Sequence, residues 1–134
     1  MRSRPSTTNE DAKAVSGGRT RWYVPDAYLP AESSGGYASH EAACLLNAGD
    51  EAARVSITFF FEDRDPLGPV ALELGARRTW HVRLDDPSAL AGLELPHGVP
   101  YAYSVESDVP IVVQHSRLDT SGGYTLFTSI AYGE

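Results

Sequence analysis

Apolar side chains recur at every second position over several short stretches of this chain. The clearest case is Ala53 to Phe61, where Val55, Ile57, Phe59 and Phe61 alternate with Ser56, Thr58 and Phe60. Strict alternation of this kind is the signature of a half-buried β-strand. The same reading gives strands at Trp22 to Val24, Ala42 to Leu46, Val70 to Leu74, Arg77 to Leu84, Tyr101 to Ser107, Val109 to Asp119 and Leu126 to Tyr132. Within Arg77 to Leu84, Trp80, Val82 and Leu84 share one face. In Tyr101 to Ser107 the inward set is Tyr101, Tyr103 and Val105. Pro25 is expected to stop the first strand, and Pro110 to stand at the first residue of a later one, where its missing N–H does least harm.

Turn chemistry separates these stretches. Asn47-Ala48-Gly49-Asp50 reads as the turn of a hairpin. The segments from Asp26 to Gly36 and from Glu62 to Pro69 read as loops. Asp85 to Leu95 has room for a single helical turn after Pro87, because Gly92 and Pro96 follow closely. Roughly seven or eight short strands with regular turns between them predict an all-β fold, an antiparallel β-sandwich of jelly-roll-like form. No internal repeat is visible.

Length and charge narrow the picture. With 134 residues the chain is one domain, long enough for a single core. Residues 1–18 are rich in Ser, Thr, Gly and charge and are expected to form a disordered tail; the domain then spans 19–134. The net charge is −7, and without that tail it is −8. Such an acidic domain argues against general affinity for nucleic acid or anionic membrane. The single cysteine, Cys44, excludes an internal disulfide framework. It stands in the apolar run Ala42 to Leu46 and is expected to be a small core residue. No apolar leader follows Met1 and no run is long enough to span a bilayer, so the expected location is cytoplasmic.

The Val109 to Asp119 stretch changes character along its length. Alternation puts Ile111, Val113, His115 and Arg117 on one face, with Val112, Gln114, Ser116 and Leu118 on the other. An inward Arg117 needs partners, and Asp119 or Glu41 could supply a carboxylate. The structural alternative is a strand emerging into solvent with surface charges. His40, His81, His97 and His115 include no His-x-His or His-x-x-x-His pair, so no metal or cofactor is expected. Gly-x-Ser-x-Gly, P-loop and dinucleotide motifs are absent, and Ser116 beside His115 is no triad, since strand neighbours face opposite ways. No catalytic residue is assigned. The remaining polar set suits a small polar ligand. Arg77 and Arg78 can hold an anionic group, Asn47 and Gln114 offer amides, Glu41 and Asp119 accept from hydroxyls, and Trp80 can lie against a sugar ring. For each there is a plainer reading as turn, surface or core.

Six ordered motifs carry a family resemblance: Ser39-His40-Glu41, Leu46 to Glu51, Asp63 to Pro69, Ala76 to Arg83, Val109 to Asp119 and Thr128 to Tyr132. In this order they resemble the sensory rhodopsin transducer family, over about Arg19 to Tyr132. The segment Thr120 to Phe127 differs from the family's usual continuation. The resemblance implies a compact non-enzymatic β-sandwich, assembled as a homotetramer in the cytoplasm. It further implies a binding domain for sugars or related metabolites, with one branch coupled to a membrane rhodopsin. Joined to the residues above, it places a ligand site among His40, Glu41 and Asn47 on one wall, Arg77, Arg78 and His81 on a second, and Gln114, His115, Arg117 and Asp119 on a third. The alternatives are a signalling adaptor on the cytoplasmic face of a rhodopsin and, from a different class, a metal-dependent enzyme using the histidines. Trp22, Tyr23, Tyr28, Phe60 and Tyr132 are expected on outward faces or edges, to be covered by subunit contact.

Overall fold

The structure is a computed structural model and describes residues 17–134. The expected tail therefore lies almost wholly outside the described residues. Eight strands run in chain order: β1 (Arg19–Tyr28), β2 (His40–Asn47), β3 (Ala53–Phe61), β4 (Leu67–Leu74), β5 (Arg78–Arg83), β6 (Pro100–Asp119), β7 (Thr125–Ile130) and β8 (Tyr132–Gly133). A one-turn 3₁₀ helix at Pro87–Leu90 is capped by Asp86, whose side chain accepts from the Ser88 N–H. All pairing between these strands is antiparallel. The fold is all-β, as the alternation predicts.

The two strands expected at Tyr101 to Ser107 and Val109 to Asp119 are one. β6 is 20 residues long and belongs to two layers. Its first half pairs with β3 and β1, in the order β4-β3-β6-β1-β8. Its second half pairs with β2 and β7, and β2 also pairs with β5. Pro110 sits where the neighbours change, after the β3 pairing ends at Ser107 and before the β2 pairing begins at Val112. No ladder bond is asked of it there, so it lets the strand continue instead of starting a new one.

Pro25 behaves similarly. β1 runs through it, with a register shift between Val24 and Ala27. A bulge removes the need for a ladder N–H at that point and turns the strand. β8 covers only Trp22 and Tyr23, so the bulge is not masked by a neighbour on that side.

Inward residues of both layers form one core. Ile57, Phe59, Tyr103 and Val105 from one layer meet Ala43, Leu45, Val82 and Val113 from the other. Leu29, Leu84, Leu90 and Leu95 close its ends. Trp22, expected outside, is buried. Its indole N–H donates to the carbonyls of Arg19 and Ile111 at 3.1 and 3.0 Å. Cys44 departs the other way: it is half-buried on the outer face, 3.8 Å from the Ser116 hydroxyl.

Gly18 fixes the entry into β1. Its φ is +110°, and a Cβ there would lie 2.0 Å from the Ile111 carbonyl oxygen. Both backbone conformation and space exclude a side chain. Gly18→Ala is expected to cost about 1–3 kcal/mol in thermal or urea unfolding. Gly122→Ala, with no neighbour within 4 Å, is the neutral control.

Candidate functional site

Antiparallel pairing of β2 with β6 sets Glu41 opposite Arg117 and Ala43 opposite His115. All four point to the inner face. The bend in β6 brings Tyr101 and Tyr103, from its first half, back over the same place. Four of the groups that meet here thus come from one strand.

Glu41 is completely buried and accepts from four groups. The Tyr101 hydroxyl donates to Oε1. Oε2 receives the Arg117 Nε–H at 2.9 Å, the His115 Nε2–H at 2.9 Å and the Tyr28 backbone N–H at 3.0 Å. Nδ1 of His115 lies 2.8 Å from the Tyr103 hydroxyl, so both ring nitrogens are hydrogen-bonded. Burial by itself would push the Glu41 carboxyl up. The donors His115, Tyr101, Tyr28 and Arg117 outweigh that and hold it below its ordinary value of 4.5. Burial and the Glu41 charge push both tyrosines far above their usual range, so neither ionises readily.

Arg117 is only partly used by this centre. Its Nη2 is buried and makes no hydrogen bond. Asp26, on the β1 bulge, is 3.8 Å from Nη2, and its side chain is 85% exposed. The guanidinium carbon lies 5.4 Å from the Phe127 ring centroid. Beside it opens a cleft of about 220 Å³ between the bulge and β7, lined by Val24, Pro25, Asp26, His115, Phe127, Ser129, Ile130 and Ala131.

The expected three-walled site is brought together only in part. Glu41, His115 and Arg117 meet as foreseen, and Glu41 is the carboxylate that Arg117 uses. Asp119 is not: it accepts from the Ser121 N–H and hydroxyl, which hold its carboxyl below the usual range. Asn47 is a structural brace. Its amide donates to the carbonyls of Glu51, Leu74 and Gly75, and its Oδ1 accepts from the Gly49 N–H. Arg77 is exposed beside Asp50, and Arg78 bonds the carbonyls of its own turn. Both lie at the Asn47 end of β2, six residues from Glu41, or roughly 20 Å at strand rise. They bring no charge to the cleft. His40, His81 and Gln114 sit on the outer face, across the sheet from the centre.

Tyr101, Tyr103, Asp26 and Phe127 were not foreseen. The two tyrosines carried a usable signal, since a buried hydroxyl needs a partner. Asp26 and Phe127 carried none, because their nearness to Arg117 depends on the bulge and on where β7 pairs. Among the described residues no three His, Cys, Asp or Glu side chains are placed to hold a metal ion. Among the described residues, too, no helix is long and apolar enough to cross a membrane.

Fold and centre together define a small all-β domain built on a buried carboxylate, histidine and arginine beneath two tyrosines. The chain belongs to the family described as Anabaena sensory rhodopsin transducer, which matches residues 17–133. It is similar to the crystal structure of Thermotoga maritima 1070, with 41% identity, a TM-score of 0.79 and coverage of 90% of this chain and 97% of that one. It is similar also to the Anabaena sensory rhodopsin transducer itself, with 45% identity, a TM-score of 0.65 and coverage of 75% and 99%. No curated protein matches.

The lowered Glu41 carboxyl makes a pH prediction. A group depressed by folding stabilises the fold above its ordinary value, and that stabilisation is lost as pH falls through the lower folded-state value. Urea unfolding of the parent should therefore weaken from about pH 4.5 downward. Glu41→Gln should be less stable by about 3 kcal/mol at pH 7 and should lack this component of the acid limb.

Proposed function

We propose that the domain is a non-enzymatic binding module for a small polar metabolite, sugar-like in chemistry, that works in the cytoplasm. The observation that carries this is the buried, unbonded Nη2 of Arg117, whose guanidinium stands beside Asp26 and Phe127, two of the residues that line the cleft. A buried charged N–H without an acceptor costs on the order of 1–3 kcal/mol or more, which an incoming oxygen atom would recover. The surroundings favour a hydroxyl over a carboxylate. Glu41 already balances Arg117, and Asp26 adds a further negative charge 3.8 Å from Nη2. A hydroxyl can accept from Arg117 and donate to Asp26 at once, whereas an anion would be repelled. Phe127 offers the apolar face for a ring.

A thermal-shift screen of aldoses paired with their aldonic acids tests this. Neutral members are expected to raise the melting temperature, with about 2.7 kcal/mol of added stability at a hundred times the dissociation constant. Asp26→Ala and Phe127→Ala, both at exposed positions, should fold normally and lose most of that gain. No shift from any compound would remove the reading, and shifts from the acids alone would reverse the preference.

A second reading has its own support. The similarity to the Anabaena sensory rhodopsin transducer favours an adaptor that docks on the cytoplasmic face of a membrane rhodopsin. A net charge of −7 suits the Lys- and Arg-rich cytoplasmic loops of such a partner. Salt-sensitive binding to a purified microbial sensory rhodopsin in detergent is the expected result. Absence of binding at low salt would count against it.

Either role is proposed for a homotetramer. Exposed Tyr124, Leu126, Ile130 and Tyr132 are the apolar surface that assembly would cover. Light scattering at micromolar concentration should return a tetramer mass, and a monomer mass would refute it.

A further inference from the structure

The outward residues of β2 and of the second half of β6 make one continuous surface. Alternation puts Ala42, Cys44 and Leu46 there from β2, and Val112, Gln114 and Ser116 from β6. None of these carries a charge. Leu46 and Val112 stand directly opposite each other at one end of the surface. Val112 is half-buried and packs against the core, whereas Leu46 is 43% exposed. An apolar side chain laid across this pair would take both out of water.

The described chain begins at the same end. A Cβ built on Gly17 would lie 3.9 Å from the Pro110 Cβ, and one on Gly18 would lie 3.0 Å from Val112 Cγ2. Both glycines have positive φ, +86° and +110°, so the chain turns sharply as it enters β1 beside Val112. Residues 1–16 come before this turn. Their one sizeable apolar side chain after Met1 is Val15, flanked by the small, uncharged Ala14 and Ser16. From Gly18 back to Val15 an extended chain spans about 10 Å. Neighbouring strands are about 4.8 Å apart. Val15 therefore reaches Val112 and, one strand further, Leu46. Charge agrees with this placement. Lys13 comes two residues before Val15, and the exposed Asp108 stands two residues before Pro110.

We propose that the segment Lys13–Ser16 folds back over this end of β2 and β6, with Val15 on Leu46 and Val112 and with Lys13 toward Asp108. The composition of residues 1–16 gives them no core of their own. The domain supplies the apolar surface they lack. The contact is made within one chain and away from the cleft, so it depends neither on the ligand nor on assembly.

The test is cleavage of the full chain by trypsin after Lys13 under native conditions, read by mass spectrometry as loss of residues 1–13. The rate of such a cut follows the fraction of molecules in which the segment is released. Val15→Ser should raise it about tenfold, the factor expected for losing most of one buried valine. Leu46→Ser should raise it similarly, and the double variant should add little, because both changes break one contact. If Leu46→Ser lowers the melting temperature, Val112→Thr repeats the test with a side chain of nearly the same shape. A parent cut as fast as Val15→Ser overturns the proposal. So does a rate raised by Val15→Ser but by neither surface variant, which would put Val15 elsewhere. Protection that grows with protein concentration would put the segment on a second copy and overturns the contact within one chain.

Discussion

An ionised carboxylate is buried at the centre of this domain. Moving such a group from solvent costs several kcal/mol even after relaxation. Glu41 offsets that cost with four donors. Three of them, Tyr101, His115 and Arg117, lie on β6. They can converge on one carboxylate only because β6 bends from one layer into the other. The fourth, the Tyr28 N–H, comes from beyond the β1 bulge. The constraint at Glu41 therefore ties together the crossover strand, the bulge and β2. Removing any one element would strand a charge and not merely open a void.

The same arrangement leaves chemistry at its rim. Glu41 takes the Nε–H of Arg117 and leaves its buried Nη2 without a hydrogen bond. The bulge at Pro25 and Asp26 forms one lip of that cleft, and β7 with Phe127 forms the other. The interior of the centre is closed and fully bonded, with His115 held at both ring nitrogens. Arg117 stands between Asp26 and the Phe127 ring. The two tyrosines are held neutral, and both ring nitrogens of His115 are hydrogen-bonded.

β7 connects the cleft to the surface of the molecule. Its inner face contributes Phe127 and Ser129, and its outer face presents Leu126 and Ile130. Arg117 of β6 and Phe127 of β7 are directly opposite in the ladder.

Much of this was legible in the chain itself. Alternation set β3 at Ala53–Phe61 to the residue and found strand in each of the other long elements, but it divided β6 in two and merged β7 with β8, which pairs with β1 in the other layer. It put Ile111, Val113, His115 and Arg117 on one face, which is where they lie. These are local properties, since side-chain direction in a strand depends on parity alone. The apolar groups of Tyr101 and Tyr103 were equally plain, though not the partners of their hydroxyls. Register and bending were not local and could not be read. Parity cannot say that Pro110 marks a change of neighbours instead of a strand end, or that Trp22 turns inward to reach the Ile111 carbonyl. Nor can it say that Arg77 and Arg78 stand roughly 20 Å from Glu41 along β2. Tertiary pairing decided those, because a hydrogen-bonded ladder slides by whole residues until buried groups are satisfied. Sequence alone determined which side chains of a strand share a face; only the folded pairing decided which face is buried and which residues meet.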